Sequence, residues 1–180
     1  MRRRRRNQRG SAMLEFALAG IPLMFIWISI VQMAIGMWRY HTIQYAVKTA
    51  GSYITVHGSD CSTGTNSCSI KIKDAAQVLQ NYSIGIDPTQ MQVTFNAIAS
   101  DHVTVASTVS CQLSGGGSPC LSNNTVWPPS PNNTPGNDIE IKTEYLFASA
   151  LAMVAPGPGS TPVRFGTFWL PGFTHQSILY

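Results

Sequence analysis

Charge is scarce in this chain of 180 residues, and its gaps are informative. Charged residues make up 11% of the total, and none lies between Phe16 and Trp38. Six of the eight arginines stand within residues 2–9, so the formal net charge of +4 belongs to a tail. From Ser11 onward Arg39, Arg164 and four lysines face eight acids, a balance of about −2. No aromatic residue is interleaved with the arginines and no second basic stripe follows, which argues against a nucleic-acid partner. Cysteine is absent before position 61. Neither cysteine pair has the short spacing of a zinc site, and no histidine flanks them at ligand spacing.

Recognisable catalytic patterns are also missing. His41, His57, His102 and His175 have no acid at ligand spacing on one helix face, and none accompanies a serine in a nucleophile elbow. Asp101 and His102 are adjacent and read as a turn with an exposed histidine. Gly115–Gly117 do not stand between a strand and a helix, so they form no phosphate loop. The expectation is a protein that is not an enzyme, with no cofactor and no metal.

What is present begins with the leader. Residues 1–10 are arginine-rich, and polyarginine before an apolar run keeps that end cytoplasmic. The uncharged run from Phe16 to Trp38 would make a helix about 34 Å long, enough for a bilayer core of about 30 Å. Trp38, Arg39 and Tyr40 form an interfacial belt at its far end, and Pro22 lies inside it. Glu15, at the mouth of the run, is the anomaly, because a carboxylate there is costly unless something needs it. A cleaved secretory signal fits badly, since the run is too long and its small residues are misplaced. A plain single-pass anchor fits the hydropathy but leaves Glu15 without a role.

The stretch G-S-A-M-L-E-F resembles the processing signal of type IV prepilins. The wider R-G-S-A-M-L-E-F-A-L-A-G-I-P-L-M is similar to the TadE/TadG-like pilus-assembly family, whose members commonly begin R-G-x-x-x-x-E-F-A-L before a proline-containing apolar helix. The resemblance is strong over roughly residues 9–55. It implies cleavage between Gly10 and Ser11 by a prepilin peptidase, with Glu15 as the fifth mature residue. It also implies a minor pilin or pseudopilin of a Flp/Tad-type system, with other pilins and an inner-membrane assembly platform as partners. Physical reasoning agrees: the new amine at Ser11 on one subunit can neutralise Glu15 on its neighbour, and a paired charge in hydrocarbon is tolerable where a lone one is not. The competing reading places Glu15 at headgroup depth, as a helix N-terminal acid favoured by the dipole.

Beyond Trp38 the helical period continues. Ile43, Ala46, Val47, Ala50 and Ile54 fall on one face, which predicts an amphipathic stem packed on the protein's own sheet. A second helix is predicted over about Ile70 to Tyr82, with Ile72, Ala75, Ala76, Leu79 and Tyr82 on one face. From Met91 the period becomes two, giving strands over Met91–Ala97, from Val103 to Leu113, and over Ile139–Tyr145. The segment after Tyr145 is a short packed helix or a strand extension. The end, from about Phe165, returns to the sheet with an interruption at Pro171-Gly172. Residues 114–137, rich in Gly, Pro and Asn, read as an exposed excursion and a candidate variable contact surface.

The cysteines fall in two local pairs beyond the apolar run, where disulfides are the natural state. Of three possible connectivities, Cys61–Cys68 and Cys111–Cys120 are favoured because each closes a short loop. The expected fold is α+β: a long N-terminal transmembrane helix whose stem packs on an antiparallel sheet of three to four strands, plus one short helix. The expected organisation is a basic leader (1–10), the membrane helix and stem (11–57, membrane core 16–38), and an exported head (58–180) in the periplasm or outside the cell. The alternative function is an uncleaved, membrane-anchored envelope protein with a binding or scaffold domain.

Overall fold

A computed structural model describes residues 8–57, 70–148 and 167–179, with side chains placed from residue 13. Helix α1 (Gln8–Val56) runs unbroken for 49 residues, through Pro22. Helix α2 (Ile72–Tyr82) follows, then strands β1 (Met91–Ile98), β2 (Val105–Gln112), β3 (Asp138–Ala148) and β4 (Thr167–Ser177). The strands form one antiparallel sheet in the order β2-β1-β3-β4. The architecture is α+β, as the sequence periodicities predict.

The stem stripe is the centre of the core. Ile43, Ala46, Val47, Ala50 and Ile54 are all fully buried, against α2 and the face of β3 and β4. Met91, Val93, Phe95 and Ala97 of β1 and Ile139 and Ile141 of β3 supply the opposing layer. The two periods, 3.6 on the helix and 2 on the strands, thus meet across one interface. Full burial of each Val or Ile is worth about 1.5–3 kcal/mol relative to exposure. Helix α2 buries Ile72, Ala75, Ala76 and Leu79. Tyr82, expected on the same face, is instead 43% exposed and meets Tyr45 edge-on at 5.8 Å. Asp74 accepts from the Lys71 backbone N–H at 3.1 Å and closes the helix start.

Two expectations are corrected. Strand β4 is not interrupted at Pro171-Gly172, since Pro171 pairs with Glu144 and Gly172 with Thr143. Proline is tolerated because β4 is an edge strand, and α1 caps that edge: the Gln44 side-chain amide donates to the Pro171 carbonyl at 3.1 Å and accepts from the Phe173 N–H at 3.4 Å. A Cβ on Gly172 would lie 2.6 Å from Ile43 Cγ2, so only glycine lets helix and strand approach here.

The second correction concerns residues 114–137, which are only partly an exposed excursion. Trp127 is 2% exposed and packs edge-on against Phe95 at 5.4 Å. Its backbone N–H donates to the Ile70 carbonyl, while the backbone N–H groups of Ile72 and Lys73 donate to the Thr125 and Asn123 carbonyls, each at 3.0 Å. One tryptophan outweighs a run of loop-forming neighbours because burying it removes so much apolar surface from water.

Of the apolar segment after Tyr145, residues 146–148 extend β3. The remainder lies outside the described residues.

Candidate assembly helix and its junction with the head

The first half of α1 is a helix without protein cover. Every residue from Met13 to Ile35 is exposed except Gly20 and Gln32, which are half-buried. Phe16 (79%), Leu18 (71%) and Met33 (71%) show how complete this exposure is. A helix apolar all round demands lipid or other helices as solvent, and this one is long and apolar enough to cross a membrane. Gly10 and Ser11 lie within its helical backbone, and Glu15, one turn beyond Ser11, is exposed. The Ser11 and Ala12 side chains lie outside the described residues.

At Trp38 the helix enters the head. Arg39, the first cation after the run, does not extend away. Its Nη1 donates to the Tyr145 hydroxyl at 3.0 Å, and its guanidinium lies 5.1 Å from the Phe147 ring centroid. Trp38 packs on the turn after α2: a Cβ on Gly85, whose φ is +76°, would lie 2.6 Å from Trp38 Cη2. Only glycine combines that backbone with that approach. On the other side, the Phe168 ring reaches Gly36. A groove of about 380 Å³ separates Met33 and Met37 from Phe168 and Leu170.

Cys111 and Cys120 are joined, with an S–S distance of 1.99 Å and Cα atoms 5.3 Å apart. Cys61 and Cys68 lie outside the described residues.

The fold also gathers residues that the sequence separates widely. At the end of the sheet remote from Trp38, Asp138 is buried. His102 Nδ1 lies 2.7 Å from Asp138 Oδ2, and His175 Nε2 lies 3.2 Å from the same oxygen. Ser177 Oγ donates to Oδ1 at 2.6 Å. His102 is thus exposed but partnered, in a turn where its own φ is +58°. Burial pushes the Asp138 carboxyl up, but hydrogen bonds from Ser177, His102 and His175 outweigh it and hold the carboxyl below its ordinary range. The serine here donates to the acid and not to an imidazole, so the group lacks the serine-to-histidine relay of nucleophilic catalysis. It ties the β1–β2 turn to the outer ends of β3 and β4. The β-register Asp138↔Ser177 was the only signal that could have found it, and sequence spacing does not disclose register.

Among proteins already known, the family described as TadE-like protein matches residues 10–51. The match starts at the glycine of the proposed cleavage site and ends within the buried stem. It is consistent with a TadE/TadG-like pilus-assembly protein, and it suggests a structural, membrane-anchored role linked to Tad pili. No curated protein and no solved structure matches the chain.

Proposed function

We propose that this chain is a minor pilin or pseudopilin of a Flp/Tad-type pilus or a related secretion machine. A prepilin peptidase cuts it after Gly10, and the mature chain begins at Ser11 with Glu15 fifth. Residues 1–10 are the cytoplasmic leader. The helix from residue 11 to about 57 crosses the inner membrane over 16–38 and continues as the stem. Residues 58–180 are exported, and 114–137 carry a contact surface that varies around its Trp127 anchor. Other pilins and the inner-membrane assembly platform are the partners.

One observation carries this reading: the family match begins at Gly10 and covers the helix whose apolar surface is uncovered from Met13 to Ile35. Such a surface is what a helix bundle needs on every side. Glu15 then pairs with the Ser11 amine of a neighbouring subunit, which neutralises the charge and sets the axial register.

N-terminal sequencing of the membrane-extracted protein tests the processing step. A chain starting at Ser11 is the expected result. A start at Met1 or Arg2 in a host with active prepilin peptidase overturns it, and favours an uncleaved anchor carrying a scaffold domain. For the pairing, Glu15→Ala is expected to leave cleavage intact and to reduce assembly with other pilins several-fold, read by co-purification from detergent. Unchanged assembly would remove the pairing.

A further inference from the structure

The head has two chemically different ends. Strands β3 and β4 run between them, and α1 runs alongside β4 in the same direction: Gly36 meets Phe168, Gly51 meets Thr174, and the Leu179 N–H reaches the Thr55 carbonyl. The far end carries Asp138, His102 and His175. The near end, where α1 emerges from its uncharged run, carries exposed apolar side chains on both sides of the helix. Ile84 is 71% exposed, Trp169 55% and Phe168 46%.

We propose that this near rim is a bilayer-seating surface, with Ile84 on one side of α1, Phe168 on the other and Trp169 on the opposite face of β4, all entering the interfacial layer of the outer leaflet. The proposal rests on α1 being a membrane-spanning helix with Trp38 at its outer boundary, and its occupant is phospholipid.

Depth is the first argument. The groove beside Phe168 is lined by α1 as far down as Met33 and Ser29. Met33 lies five residues before Trp38, about 7.5 Å along the helix. Interfacial apolar groups bury about 5–10 Å into the headgroup and acyl boundary. If the uncharged run is solvated by lipid up to Trp38, the start of β4 is carried into the same layer. Head and lipid then share an apolar boundary on the side of β4 that faces α1.

Charge and residue type point the same way. Trp38, Tyr40, Ile84, Phe168 and Trp169 carry no charge, and aromatic amphipathic rings are the side chains favoured at the membrane interface. Arg39 is drawn inward onto Tyr145 and Phe147, which leaves the rim free of its cation. The seating is therefore apolar and does not depend on anionic headgroups. Gly85 holds the turn against Trp38 and so displays Ile84 outward.

The test uses the full chain labelled with 5-fluorotryptophan, one copy per nanodisc of phosphatidylcholine, with resonances assigned by single Trp→Phe variants. The four tryptophans divide by position. Trp27 lies within the span, Trp38 and Trp169 at the rim, and Trp127 in the core. Lipid carrying a nitroxide near the headgroup is expected to broaden Trp38 and Trp169 and to spare Trp127. A soluble gadolinium chelate is expected to leave Trp169 sharp. The result should persist in phosphatidylglycerol discs. Trp169 broadened by the chelate and not by lipid, with Trp27 still broadened by lipid nitroxide along the acyl chain, overturns the seating and keeps the anchor. Trp169 sharp with both agents shows cover by protein and also overturns it. Loss of lipid broadening at Trp27 overturns the anchor and the seating together.

Discussion

At the far end of the head, three groups from distant parts of the chain converge on the Asp138 carboxylate: Ser177, His102 and His175. The groups facing it come from two places, the β1–β2 turn (His102) and β4 (His175 and Ser177). Glu140, one pleat along β3, is depressed in the same way, because hydrogen bonds from Lys142 and Asn96 outweigh the burial that pushes it up. A carboxyl depressed in the folded state contributes stability that is complete above its unfolded value, near pH 4. That contribution drains away as pH falls through the folded value, because the unfolded chain then binds more protons. The head should therefore lose thermal stability between about pH 5 and pH 3. Asp138→Asn should lower stability at pH 7 by roughly 1–3 kcal/mol, the cost of losing hydrogen bonds to a charged, buried acceptor. It should also flatten the acid dependence. Thermal denaturation in detergent of the full chain carrying Trp27→Phe, Trp38→Phe and Trp169→Phe, followed by Trp127 fluorescence from pH 3 to 7, gives both readings. Equal acid slopes for the variant and the parent chain would mean that Asp138 does not carry the effect.

At the scale of elements, the joint between α1 and β4 decides how the head is built. Gly172 sits where the helix packs directly on the strand, and a methyl there would meet Ile43 at 2.6 Å. Gly172→Ala should cost about 1–3 kcal/mol through overpacking, seen as a lowered denaturation midpoint. Gln44→Ala should cost less, about 1 kcal/mol, because it removes only the side-chain amide that completes the β4 edge. This joint also marks the limit of what the sequence discloses. The stem stripe from Ile43 to Ile54 is plain from its period, and so are β1 and β3, because one buried face writes a regular pattern into each. Pro171-Gly172 looks like a break because local propensity knows nothing of Gln44, 127 residues away. Trp127 is hidden likewise, since its neighbours are loop formers and its partner Phe95 lies in another element. At the helix start, the roles proposed for Gly10 and Glu15 rest on spacing along one segment, which a sequence can display. The Asp138 group is not, because its members meet only through register.

For the whole molecule, the consequence is that anchor and head divide within α1 and not at its end. Residues 13–35 are exposed, whereas the stripe from Ile43 to Ile54 is fully buried against α2 and the sheet. The stem is thus one layer of the head's core. Deleting it would strip α2 and the sheet of their common partner and expose Met91, Phe95, Ile139 and Ile141, each now fully buried. Losing three stem isoleucine or valine contacts alone would exceed about 5 kcal/mol, a large share of the 5–15 kcal/mol typical of a domain. A chain beginning at Arg39 should therefore be soluble without detergent and unfold cooperatively, with Trp127 fluorescence shielded from iodide once Trp169→Phe removes the exposed emitter. A chain beginning at Gly58 should expose apolar surface, bind a hydrophobic dye and show no cooperative transition. Cooperative unfolding of the shorter chain would show that the sheet and α2 close a core without the stem, and would move the division between anchor and head to the end of α1.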